Sequence, residues 1–141
     1  ELTLMIYDAR GAIGLGKYED AMGLCDQALK SNPDSAEAYA VRSQAKFGLQ
    51  DIDGALQDAD KAIGLQPEEY IDPAYYVRAR IALEQAADPA EALGFIEKAL
   101  DIVEFEPVPE YFELRADIYK SMGKQDLADA DLLKAKEIRS K

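Results

Sequence analysis

Histidine and tryptophan are absent from the 141 residues, and Cys25 is the single cysteine. Without histidine, imidazole acid–base catalysis, Ser-His-Asp triads and histidine-ligated metals are excluded. One thiol closes no internal disulfide, so nothing in the chain requires an oxidising compartment. No apolar run approaches the roughly 18 residues of a membrane-spanning helix, and no signal segment is visible. Positive charge is scarce: 16 Lys and Arg against 28 Asp and Glu leave a net charge of −12. That balance disfavours nucleic-acid phosphates and anionic lipid surfaces, and it is compatible with a solvated outer face or a basic partner. GAIGLG at residues 11–16 has the glycines of a phosphate loop but stands at a helix end with no preceding strand. Asp51-Ile52-Asp53-Gly54 opens like a calcium loop, yet lacks the remaining ligand spacing and falls where a helix start attracts acids anyway. No catalytic, cofactor-binding or metal-binding residue is assigned.

What the chain does have is a period. Ala21, Ala55, Ala92 and Ala128 recur at steps of 34, 37 and 36 residues, and Ala9, Ser43, Ala79 and Ala116 at steps of 34, 36 and 37. Pro33 and Pro67 close two of the units. A period of this size marks stacked supersecondary units. Apolar residues at three and four spacing, as in Ala55, Ala59, Ala62 and Ile63, give each unit two helices with one buried face. The pairs are expected at 2–14 with 18–30, 36–48 with 52–65, 73–85 with 89–103, and 109–122 with 125–139. Ser35, Asp72 and Asp88 are expected caps, with Pro73 and Pro89 at first helical turns, and Gly16 and Gly123 suit left-handed hairpin turns. Beta structure has no support. Small residues in the two alanine rows let paired helices approach to about 8–10 Å, which makes all eight structural. Arg42 and Asp58 are 16 residues apart, as are Arg115 and Asp131, which predicts an ion pair inside each of those hairpins. Arg78 meets Phe95 at the matching place, so Glu97 or Asp101 is its expected partner.

These residues resemble the tetratricopeptide repeat. The second unit carries the pattern on Tyr39, Ser43, Ala55, Ala59, Ala62 and Pro67. The first carries it on Ala9, Gly16, Tyr18, Ala21, Cys25, Ala28 and Pro33, and the fourth on Phe112, Ala116, Tyr119, Gly123, Ala128, Leu132 and Ala135. The third, on Tyr75, Ala79, Ala92, Ile96 and Ala99, has about one extra residue in its turn. The family's Leu-Gly is replaced in every unit, and the fourth has no closing proline. The resemblance implies an all-α, right-handed solenoid of four antiparallel helix-turn-helix hairpins, at about 2–35, 36–69, 70–107 and 108–141. It forms one domain, read as excised from a longer protein. Cys25 falls where the family places a packing residue, which implies an inert thiol.

The resemblance also implies a non-enzymatic module that binds a partner peptide or helix in a concave groove lined by the first helices. The groove residues so assigned are Tyr7, Arg10, Val41, Gln44, Phe47, Tyr76, Val77, Arg80, Leu114 and Asp117. Arg10 and Arg80 would favour an acidic or carboxylate group on the partner, and Asp117 with Glu113 a basic one. The family's chaperone carboxylate clamp is not expected, because its positions hold Ile6, Arg10, Val41, Pro73 and Val77. Two alternatives stay open: an architectural segment self-associating through its ends, with Leu127, Leu133 and Ile138 as an uncovered C-terminal flank, or a regulatory part of a larger enzyme or secretion apparatus.

Overall fold

The computed structural model describes residues 2–65 and 70–141, and Pro67, an expected unit end, lies outside them. Eight helices and no strand occur among the described residues: α1 (Leu2–Gly14), α2 (Tyr18–Ser31), α3 (Ala36–Gly48), α4 (Ile52–Gly64), α5 (Asp72–Glu84), α6 (Pro89–Ile102), α7 (Pro109–Ser121) and α8 (Gln125–Arg139). Every expected boundary is met within one residue, and the fold class is all-α, built of helical hairpins. The chain divides into two compact units, residues 1–77 and 78–141.

Helix starts are locally encoded. Ser35 accepts the Ala38 N–H at 3.2 Å, Asp51 that of Gly54 at 3.0 Å and Asp88 that of Glu91 at 3.1 Å, each satisfying an otherwise orphan donor. Pro89 and Pro109 occupy first turns, where a missing N–H costs nothing. Helix ends share one device. Lys17, Asp51 and Lys124 N–H groups reach back to Ala12, Lys46 and Tyr119 carbonyls at 2.8, 2.9 and 2.8 Å, and the residue before each has positive φ: Gly16 at 74°, Gln50 at 69° and Gly123 at 75°. This is the Schellman closure. In the α5–α6 turn the extra residue moves the bond to Asp88 N–H and Ala82 carbonyl, with Ala87 at φ 51°.

In the first unit the core joins Ile6 and Ala9 of α1, Ala21, Cys25 and Ala28 of α2, and Ala38, Val41 and Ala45 of α3. In the second unit, α6, α7 and α8 bury Ile96, Tyr111, Leu114, Ile118, Ala128 and Ala135. The eight small residues Ala9, Ala21, Ser43, Ala55, Ala79, Ala92, Ala116 and Ala128 are all fully enclosed. Ser43 fits among the alanines because its hydroxyl donates to the Ala40 carbonyl at 2.6 Å, which removes the cost of an unpaired buried group.

Candidate functional site

The expected Arg42–Asp58 and Arg115–Asp131 ion pairs form. Arg42 Nε and Nη2 donate to both oxygens of Asp58 at 2.7 and 3.0 Å, and Arg115 does the same to Asp131 at 2.8 and 2.9 Å. Both forks are bidentate. Each arginine's pKa is raised, first by the hydrogen bond to its aspartate, with burial opposing. Arg42 also donates to Asp26 at 2.9 Å, tying α3 to α2. The Arg78 guanidinium lies 4.9 Å from the centroid of the Phe95 ring, where an aromatic face attracts a cation.

In the first unit, α1 directs Arg10 toward α3 and the start of α5. Its Nε donates to Glu37 at 2.9 Å, Nη1 and Nη2 donate to Asp72 at 3.4 and 3.1 Å, and Nη2 also donates to the Tyr70 carbonyl at 2.7 Å. Asp72 is fully buried. Burial alone would lower the Arg10 pKa, but the charges and hydrogen bonds of Asp72 and Glu37 outweigh it and the net direction is up. Arg10 is therefore engaged by two carboxylates of its own chain. Glu37, Tyr70 and Asp72 are the members that sequence reasoning missed. Asp72 stood out only as a cap before a proline, and a carboxylate with no nearby basic residue in sequence was the available signal.

The other assigned groove residues divide by burial. Val41 and Val77 are fully enclosed and Leu114 is 5% exposed, whereas Tyr7, at the matching place in the first hairpin, is 73% exposed. Val41, Val77 and Leu114 are packing rather than a channel wall, since enclosed side chains offer a ligand little surface, whereas Tyr7 is open to solvent. Gln44, Phe47 and Tyr76 are half-buried. In the second unit Arg80 is paired with Glu84 one turn on, Asp117 is exposed, and Glu113 accepts from Arg139 of α8 at 2.9 and 3.2 Å. Of the clamp positions, Ile6, Val41, Pro73 and Val77 are all buried.

Cys25 is enclosed, and burial pushes its thiol up to about 12, away from the thiolate that a nucleophile needs. No group of three or more Cys, Asp or Glu among the described residues is placed to hold a metal. No helix among them is long and apolar enough to cross a membrane.

The family model for the tetratricopeptide repeat matches residues 36–69 and 109–141. The chain is similar to the small glutamine-rich tetratricopeptide repeat-containing protein 2 of Saccharomyces cerevisiae, with 38% identity over 60% of this chain. It spans 24% of that relative's length. Among solved structures, MamA superposes with a TM-score of 0.62 at 20% identity, covering 99% of this chain and 79% of the other. A thermophilic tetratricopeptide repeat protein of Thermus thermophilus superposes at 0.59 with 21% identity, covering 100% and 93%. At these identities the structural likenesses speak for fold alone.

Proposed function

This chain belongs to the tetratricopeptide repeat family, and from that premise we propose that it is a non-enzymatic protein-interaction module. A segment of a partner protein docks against first helices of the hairpins, with half-buried Gln44, Phe47 and Tyr76 as contacts in the first unit. The binding surface is preformed, so specificity comes from these side chains rather than from ordering of the module.

The observation that carries the chemistry is the occupied Arg10. A partner carboxylate at this place would have to displace Asp72, which has no exposed surface and would then be left buried without its cation. With Glu37 and Asp72 against one guanidinium, the cluster is net negative. We therefore propose a partner segment with an apolar anchor and a basic group, in place of the acidic or carboxylate group expected of Arg10 and Arg80. The chaperone carboxylate clamp remains disfavoured on the same ground.

Selection from a displayed library of random peptides tests this. Enrichment of Lys or Arg beside an aliphatic or aromatic residue, lost with Gln44→Lys or Phe47→Ala, is the expected result. Enrichment of acidic or free C-terminal carboxylate peptides would sink it.

A further inference from the structure

Two hairpins make the same arginine fork, and one of them adds a second cation to it. Counting by the period, Tyr39, Arg42, Lys46 and Asp58 of α3 and α4 correspond to Phe112, Arg115, Tyr119 and Asp131 of α7 and α8. Among the described residues, Arg115 alone holds both oxygens of Asp131. Asp58 is likewise held at both oxygens by Arg42, and it also receives Lys46 Nζ at 3.0 Å. The later hairpin closes with Tyr119 in that place, so hairpin packing does not call for Lys46. What Lys46 adds is a surplus positive charge, in a chain whose net charge is −12.

That surplus is met by Asp26 of the neighbouring helix α2, which accepts from Arg42 Nη1 at 2.9 Å. The two aspartates on this guanidinium differ in burial. The Asp58 side chain is 7% exposed and that of Asp26 is 52% exposed. Displacing Asp58 would strand the half-buried Arg42 and Lys46 without their shared anion. Asp26 returns freely to water, and an exposed ion pair contributes little net stability. Arg10 is the opposite case, since its partner Asp72 has no exposed surface. Tyr39 completes the place: its ring centroid lies 5.4 Å from Arg42 Cζ and 6.0 Å from Lys61 Nζ, so a third cation stands beside the same ring.

The walls on both sides of Arg42, α2 and α4, are in place within the first compact unit. We propose that this face binds a carboxylate of a partner peptide, from an aspartate or glutamate side chain. That carboxylate takes the place of Asp26 on Arg42 Nη1 and draws on the charge of Lys46 and Lys61. A guanidinium already fixed in its plane by Asp58 meets the incoming group with little further loss of side-chain freedom. One carboxylate suits the place better than a polyanion, because the rest of this acidic chain repels additional negative charge. Gln44, two residues on from Arg42, stands on the opposite flank of α3. The site is therefore separate from the Gln44, Phe47 and Tyr76 surface and does not rest on that reading.

A single carboxylate binds too weakly to be retained in a display selection, and it is read by NMR. The probes are the blocked pentapeptide Gly-Ala-Asp-Ala-Gly and its Asn counterpart, each titrated at low salt onto the isotope-labelled 141-residue chain. With the Asp peptide, the Arg42 Nε–H signal and the amides of residues 26, 42 and 46 should shift saturably. The Asn peptide should leave them still, and Arg115 Nε–H, the internal control, should not move with either. Asp26→Asn empties the Nη1 edge and should tighten binding several-fold. Lys46→Tyr copies the later hairpin, keeps the Arg42–Asp58 fork and should weaken binding several-fold. No saturable shift even in Asp26→Asn, an equal response to the Asn peptide, equal shifts at Arg115 or indifference to Lys46→Tyr would overturn the proposal. A thermal melt lowered by Asp26→Asn as far as by Arg42→Ala would also overturn it, by making Asp26 a structural partner that does not exchange.

Discussion

Arg10 and Asp72, 62 residues apart, are joined by two hydrogen bonds, so that α1 is tied directly to the start of α5. The same guanidinium holds Glu37 of α3, and one side chain thus links the first helices of three successive hairpins. Because Asp72 is buried while Arg10 is 30% exposed, the loss falls mainly on the aspartate. Arg10→Ala should destabilise by about 2–4 kcal/mol, a figure reduced from that of a wholly buried pair for solvent screening. Arg10→Lys should recover only part, since the ammonium lacks the fork. Urea titration followed by helical signal measures both. An unchanged midpoint in Arg10→Ala would show that the cluster holds nothing. One corollary is practical: lost partner binding in Arg10→Ala reports damaged packing before it reports recognition.

Gln50 and Ala87 adopt the left-handed conformation that Gly16 and Gly123 adopt in the other hairpin turns. A side chain there costs about 1 kcal/mol. Gln50→Gly and Ala87→Gly should each raise stability by roughly 0.5–1 kcal/mol, against the usual direction of glycine substitutions, while Gly16→Ala and Gly123→Ala should lower it. Thermal melts of the four variants decide the matter, and equal signs across the set would refute the strain argument.

Gly48 lies beneath the Tyr18 ring, where an added methyl group would stand 2.6 Å from ring carbons. Gly48→Ala must push the ring aside and should cost about 1–3 kcal/mol despite alanine's better helix propensity. With Tyr18→Ala in place the clash disappears, and the same change should become neutral or stabilising. A double-mutant cycle with no coupling would place the two residues apart.

Cys25 carries the pH dependence. Its thiol, ordinarily near 9.0, is pushed by burial to about 12 in the folded chain. Below 9.0 both folded and unfolded states keep the proton, so the contribution is constant. Above it the unfolded chain releases a proton that the folded chain retains, so stability falls as pH rises from about 9 toward 12. The comparison is with Cys25→Ala, whose stability should decline less steeply between about pH 8 and 10.5. Parallel curves would show that the thiol titrates normally.

The helix limits were readable along the chain because caps, prolines and three–four spacing act within a few residues. Arg42 with Asp58 and Arg115 with Asp131 were readable too: both partners sit in one hairpin, so a constant separation of 16 reports a constant geometry. In the third hairpin Phe95 stands where the aspartate would be, and Arg78 lies over its ring, a contact that the spacing of 16 did not announce. Val41, Val77 and Leu114, expected along a groove, are buried, whereas Tyr7 of the same row is exposed. A helix has two flanks that differ by about a quarter turn, and apolar periodicity alone does not say which one a neighbouring hairpin covers.

By itself, then, the sequence determined the period, the eight helices, the small residues where helices cross and the intra-hairpin ion pairs, all set by interactions local to one repeat. Only the tertiary structure decided that Arg10 is held by Glu37 and Asp72, that Val41 and Val77 are core, and that Leu4 and Tyr7 remain uncovered. These depend on how one hairpin packs on the next, and stacking brings together residues whose separation along the chain carries no signal of contact.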